Sequence, residues 1–323
     1  MSSYMKKKTP PSRPPLFDAA APQLDTGWRQ AALQAGAVEH YEDAVLYDHE
    51  YKRRRDDVMW YRALARQVAS EQRARARALR VLELGCGSGR LLVPLVRDGC
   101  QVVGVDRSAA MLARCAERLA GRGRAARGRA QLVRADFRAL PLADGAAERF
   151  PLIVCPFNGF MHLYTRRDVE QCLAEVRRLL APDGLFAFDV LNPDPGWLVR
   201  DPLRRWSRTR FRHPGTGERL VYTTNHVYDA AAQVAWIRIY YEADPAPAPA
   251  PAPERTTASD PAAAPPRPGP PRTVQLTHRQ FYPAELEALL HYNGFAIVQS
   301  AGGFDGQPIS SVSAEQVICA RVR

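Results

Sequence analysis

The stretch Val81–Arg90, VLELGCGSGR, constrains the fold more than any other part of the chain. An apolar run closes in three glycines at every second position, Gly85, Gly87 and Gly89. Glycine loses more conformational freedom on folding than any other residue, so such a loop implies a strand end where the backbone must turn tightly and approach something closely. The following segments repeat the unit. Strands are predicted at 80–84, 101–106, 131–135, 150–155 and 185–190, and helices at 90–97, 108–119 and 168–180. Ser108 stands as the N-cap of the second helix, and the APDG run after the third reads as its stop. Alternating strands and helices imply a parallel sheet with helices on both faces.

After Asn192 the period changes to two. Leu220, Tyr222, Thr224, His226 and Tyr228 alternate along one run, and Val234, Trp236, Arg238 and Tyr240 along the next, with turn signals PGTG and DAAAQ around them. This predicts an antiparallel meander, with 273–281 as a further strand. A helix at 283–292 and strands at 295–299 and 316–321 then return to the first pattern. The expected fold is α/β, a Rossmann-like doubly wound sheet of seven mostly parallel strands carrying an inserted antiparallel β subdomain. The expected organisation is a disordered basic, proline-rich tail at 1–35, a main domain at 36–191 and 282–323, and the insertion at 192–281. A proline- and alanine-rich loop at 243–272 cannot build a core.

Composition narrows the class. Of the 323 residues, 46% are hydrophobic, enough for a sizeable core, yet no run reaches the roughly 18 apolar residues of a membrane span. The basic start MSSYMKKK has no apolar segment behind it and does not read as a signal peptide. None of the six cysteines forms a C-x-x-C pair or a zinc-like spacing with histidine, so a cytoplasmic protein without disulfides or metal is expected. The net charge of +11 comes mostly from arginines scattered among alanines, as in EQRARARALR, which favours compositional bias over a nucleic-acid surface.

Candidate function gathers at the strand ends. In an open α/β sheet, ligands bind outside the carboxyl ends of the strands, where strand order reverses. There the chain places Glu83 with Gly85 and Gly87, then Asp106, then Asp136-Phe137, then Pro156-Phe157-Asn158. An acid closing the second strand can accept both hydroxyls of a ribose. Asp136 can accept from an exocyclic adenine amine while the Phe137 N–H donates to the ring. The set describes a nucleoside-bearing cofactor. The spacing G-x-G-x-G is one residue shorter than the nicotinamide fingerprint G-x-G-x-x-G, and Glu83 suits an ammonium group better than a pyrophosphate.

With these residues in view, the chain resembles the class I S-adenosylmethionine-dependent methyltransferases. VLELGCGSGR resembles their first motif, VVGVDRSAAMLARC the second, VRADF the adenine segment, and FPLIVCPFNGFMHL with LAEVRRLLAPDGLFAFDVLNPDP the fourth and fifth strand regions. The segment YEDAVLYDHEY and the β insertion resemble small-molecule enzymes of the sugar-amine and glycine N-methyltransferase kind. Pro151 departs from the family's aspartate at that position and predicts an irregular strand start. The resemblance implies S-adenosylmethionine as cofactor and S-adenosylhomocysteine as product, with a small-molecule N or O acceptor, no membrane and a monomer or homodimer. It implies that Glu83, Gly85, Cys86, Gly87 and Ser88 hold the methionine moiety and that Asp106 holds the ribose. Arg107 and Met111 would flank the adenine, Asp136 and Phe137 would read its edge, Pro156 would border the site, and Tyr47 would close over it.

His162, a few residues past the fourth strand, is the candidate base, and Asn158 the candidate for orienting substrate. His226 and Tyr222, on one face of an insertion strand, are expected to pack against a partner strand rather than line a substrate mouth. The rival functions are an RNA or DNA methyltransferase, which the charge favours, a nicotinamide oxidoreductase, and a protein of this fold that binds cofactor without turnover.

Overall fold

The computed structural model describes residues 26–71, 78–143, 145, 149–244 and 272–323. Three helices lead in: α1 (Thr26–Gly36), α2 (Ala44–Tyr51) and α3 (Asp56–Glu71). The alternating unit follows as β1 (Arg80–Leu84), α4 (Leu92–Arg97), β2 (Gln101–Asp106), α5 (Ala109–Ala120), α6 (Arg124–Arg127), β3 (Ala130–Arg134), β4 (Phe150–Cys155), α7 (Arg166–Leu179) and β5 (Leu180–Leu191). After α8 (Pro195–Leu198) come β6 (Trp206–Arg212), β7 (Arg219–Asp229), β8 (Val234–Ala243) and β9 (Arg272–Arg279). The chain closes with α9 (Pro283–Tyr292), β10 (Phe295–Ala301) and β11 (Glu315–Val322).

Seven strands form one sheet in the order β10-β11-β5-β4-β1-β2-β3, and β6 to β9 form a second sheet of four. From β3 to β5 the neighbours in the first sheet are parallel, whereas β11 is antiparallel to both β5 and β10. From β1 the chain moves outward to β2 and β3, then returns to the other side of β1 as β4. Strand order therefore reverses between β1 and β4, and their carboxyl ends open a crevice. The second sheet is an antiparallel meander.

The seven-stranded sheet is buried on both faces, so β1 and β4 read as continuous apolar runs. One face packs Phe160, Phe186, Phe188, Phe281 and Phe295 under α7 and α9, with Phe160 stacked on Phe188 at 4.5 Å between ring centres. The other packs Tyr61, Leu64, Leu92, Leu95, Cys115 and Leu119 from α3, α4 and α5. Ser108 caps α5 by accepting from the Met111 N–H, as its position in the sequence implies.

Two local expectations differ in detail. The expected tail reaches too far, because Thr26–Gly36 is helix and its Ala32 is buried with Val234 and Trp236 of the second sheet; residues 1–25 lie outside the described residues. α7 ends at Leu179, one residue short of the expected end and just ahead of APDG, but that run is not a loop: β5 begins at Leu180 and includes it. Phe150 pairs with Leu180 and Leu152 with Leu185, so the Pro-Asp-Gly run bulges out opposite Pro151. That register shift is the irregular strand start that Pro151 predicts, since proline has no N–H for the ladder. Of the expected loop at 243–272, residues 245–271 lie outside the described residues.

Candidate active site

A cavity of about 490 Å³ occupies the crevice. Gly85 and Gly87 line it with φ of +70° and +52°, and a Cβ built on either would meet nothing within 4 Å. The glycines thus serve a conformation that side chains disfavour and leave open space for a ligand. The loop is anchored from β2. One Asp106 oxygen accepts from the Gly87 N–H at 2.8 Å, and the other accepts from the Ser108 N–H at 2.8 Å. Burial raises the Asp106 pKa, and these N–H bonds pull against it. Glu83 at the end of β1 is 1% exposed, and its Oε2 is buried with no hydrogen-bond partner among the described residues. A buried acceptor in that state is costly, and a cationic ligand group would satisfy it.

The opposite wall is aromatic. Tyr41 lies in a short 3-10 turn at Glu39–Tyr41, and Tyr47 and Tyr51 follow on α2. The Tyr41 hydroxyl is 2.7 Å from His162 Nε2, and the Tyr164 hydroxyl is 3.0 Å from His162 Nδ1. Tyr164 donates its own proton to the Thr277 carbonyl at 3.1 Å. It can therefore only accept from the imidazole, which puts the histidine proton on Nδ1. Nε2 is then the acceptor of the Tyr41 O–H. Burial, with His278, His40 and Arg107 nearby, holds His162 well below its ordinary pKa, so the ring is neutral.

The cavity brings together Tyr47, Glu83, Gly85, Cys86, Gly87, Ser88, Asp106, Arg107, Asp136, Phe137, Pro156 and His162 from the expected set. It does not include Met111, which is fully buried. The Ser108 cap sets the phase of α5 so that Met111 turns inward, and Ala109 and Ala110 line the cavity in its place. Nor does it include Asn158, which lines a neighbouring cavity behind Phe157. Asp136 is not a free acceptor. Its Oδ1 takes the Arg138 backbone N–H at 2.9 Å and its Oδ2 takes Arg138 Nη2 at 2.7 Å. Burial alone would raise its pKa, but the Arg138 bonds win and the group sits low. An adenine amine would have to share this carboxylate with a guanidinium. His226 stacks on Trp197 at 3.7 Å and bonds its carbonyl, and Tyr222 packs in the core of the second sheet, so neither reaches the cavity.

Some of the wall was not singled out from sequence. Tyr41 sits inside the quoted YEDAVLYDHEY, where the density of tyrosines was the available signal. Arg90 pairs with the buried carboxylate of Asp57 and stacks over the Phe157 ring at 4.1 Å. Asp48 on α2 accepts from Ser88 Oγ at 2.5 Å and from Arg114 Nε at 2.9 Å, tying α2 across the glycine loop.

Comparison with known proteins bears on this geometry. A family model described as a methyltransferase domain matches residues 81–184. The matched segment, about a third of the chain, is similar to that domain. It holds β1 to α7, the glycine loop, Asp106, Asp136 and His162. The glycine/sarcosine N-methyltransferase of Halorhodospira halochloris is 30% identical over 159 residues, which is 49% of this chain and 53% of that protein. The chain thus spans about half the length of this curated relative. Among solved structures, an S-adenosylmethionine-dependent methyltransferase from Clostridium acetobutylicum aligns over 85% of this chain and 97% of its own, with a TM-score of 0.61 at 14% identity. The CcbJ methyltransferase from Streptomyces caelestis aligns over 80% of this chain and 95% of its own, with a TM-score of 0.58 at 24% identity. At these identities the likeness is one of fold. It extends beyond the matched segment to most of the described chain. No helix among the described residues is long and apolar enough to cross a membrane.

Proposed function

We propose that the protein is an S-adenosylmethionine-dependent methyltransferase acting on a nitrogen of a small molecule. The observation that carries this is the cavity at the switch point: two open positive-φ glycines beside an orphaned buried carboxylate at Glu83. A methionyl ammonium suits that carboxylate and a ribose suits Asp106, so the residues present fit the cofactor. Glycine/sarcosine N-methyltransferases among the relatives support nitrogen as the acceptor atom. The six free, buried cysteines fit a reducing compartment.

Bound S-adenosylmethionine would supply a methyl group already activated by a sulfonium. The protein then contributes alignment and exclusion of water, and well-oriented reactants gain about 7–11 kcal/mol in this way. Tyr41 and His162 manage the proton. His162 Nε2 holds the Tyr41 O–H, which leaves the phenol oxygen's remaining lone pair for an amine N–H. As that nitrogen gives up a proton to Tyr41, the phenolic proton passes to Nε2, and Nδ1–H stays on Tyr164. His162 thus acts through Tyr41.

A thermal unfolding scan with S-adenosylmethionine, S-adenosylhomocysteine and NADH tests the cofactor. At a hundredfold excess over Kd a ligand adds about 2.7 kcal/mol, a shift of several degrees for a chain of this size. A shift with the two adenosyl compounds alone is expected, followed by methyl transfer in a screen of glycine, sarcosine and amino sugars. No shift with a folded sample would end the proposal.

A further inference from the structure

Asp189 on β5 takes no part in the chemistry above, yet it lies directly beneath the loop that leaves β4. It is 2% exposed. Its Oδ1 accepts from the Tyr61 hydroxyl at 2.7 Å and from the Phe157 N–H at 2.8 Å, and its Oδ2 accepts from the Asn158 N–H at 3.2 Å. Phe157 and Asn158 are consecutive non-glycine residues with φ of 55° and 65°. Left-handed backbone is disfavoured wherever a Cβ is present, and two such residues in succession persist only where their surroundings over-determine them. The turn Gly159–His162 starts immediately afterwards with Asn158 as its N-cap. The Phe157 ring meanwhile forms the end wall of the main cavity, between Arg90 and Tyr51.

We propose that Asp189 is a positioning residue. Braced by Tyr61, its carboxylate holds Phe157 and Asn158 in left-handed backbone, and so sets both the Phe157 wall of the cofactor cavity and the start of the turn that carries His162. The link to cofactor rests on the methyltransferase reading, whereas the clamp itself does not. Two N–H groups converge on one carboxylate, so an amide in its place cannot satisfy both. The groups facing Asp189 are Tyr61 and Asp57 from α3, Arg90 ahead of α4, and Cys155 on β4. Burial raises its pKa to about 6, against the pull of Tyr61 and the two N–H groups. Protonation below that point removes acceptor capacity, so the clamp slackens as pH falls.

The test follows the Phe157 and Asn158 amides by NMR and hydrogen exchange from pH 5 to 8, and S-adenosylhomocysteine affinity by calorimetry. Wild type is compared with Asp189→Asn and Tyr61→Phe. In wild type the two amides are expected to titrate together, with a midpoint near 6. In Asp189→Asn they should exchange at least tenfold faster, lose that titration, and bind S-adenosylhomocysteine at least tenfold more weakly. Tyr61→Phe removes a bond that lowers the Asp189 pKa, so its midpoint should move upward. Unchanged exchange at both amides in Asp189→Asn overturns the clamp, and affinity within twofold of wild type overturns its effect on the cavity. If Asp189→Asn does not fold, an unmoved midpoint in Tyr61→Phe overturns the proposal. Failure of S-adenosylhomocysteine to bind wild type at any pH would sink the cofactor reading, and the amide data would still decide the clamp.

Discussion

Asp106 does two things with one carboxylate: it ties the glycine loop to β2 and it faces the cavity. Asp106→Asn should show both. The amide nitrogen cannot accept, so either the Gly87 or the Ser108 N–H loses its partner, at about 1–3 kcal/mol of stability. S-adenosylhomocysteine affinity should fall with it, as read by urea unfolding and calorimetry on the same variant. Gly89 makes a separate case. Its φ is +78°, and an added Cβ would lie 2.5 Å from Cys115 Sγ. Gly89→Ala should cost about 1–3 kcal/mol for strain and at least that again for the clash. Pairing it with Cys115→Ala should recover the second part and not the first, which thermal unfolding of the single and double variants would separate. Such residues were legible in sequence because their chemistry is local: a glycine after a strand, or an acid at a strand end. Met111 lies outside the cavity lining because the phase of α5 turns it inward, which its place in the motif does not reveal. Asp189 was invisible because a buried carboxylate within LFAFDVL looks like any strand residue until its partners, far away in sequence on α3 and after β4, are brought to it.

At the scale of elements, α2 is the piece whose placement depends least on its own sequence. Few of its residues are buried, and it is held from both sides by polar contacts. Asp48 reaches Ser88 and Arg114, Glu50 accepts from the Tyr241 hydroxyl at 2.5 Å, and Asp43 ahead of the helix meets Arg272 at 3.1 Å. Helical periodicity gives no handle on such a segment, whereas β1, β2 and β4 declare themselves as apolar runs. Asp48→Ala should therefore loosen the strap without damaging the core. S-adenosylhomocysteine affinity is expected to drop by about tenfold, some 1.4 kcal/mol, with the unfolding midpoint nearly unchanged. A large loss of stability instead would mean that α2 carries the fold. The APDG run teaches a related lesson. Proline and glycine signalled the end of α7, but not that the chain would pair at once as β5, with the run bulging opposite Pro151.

At the scale of the molecule, two sheets meet across a seam that holds three histidines, of which His40 and His278 are buried. His40 precedes Tyr41, His162 follows β4, and His278 lies on β9 of the second sheet, its ring centre 5.2 Å from that of His162. Burial lowers the His40 pKa to about 3 and the His278 pKa to about 4. For His278 the unfolded chain takes a proton near the ordinary value of 6.5, while the folded protein refuses it until about 4. Stability from this group is thus complete above pH 6.5 and drains away as pH falls from 6.5 towards 4, because the unfolded state binds the extra proton. Buried acids such as Glu50, raised to about 7, act in the opposite sense over an overlapping range, so the wild-type profile alone would blur the effect. The difference between wild type and His278→Gln isolates it. Urea unfolding at intervals from pH 7.5 to 4.5 should show wild type losing stability relative to the variant, by up to about 3 kcal/mol at the acid end. A difference that stays flat across that range would mean that the His278 ring finds water or a partner on protonation, and that the seam is not sealed as the packing of the two sheets requires.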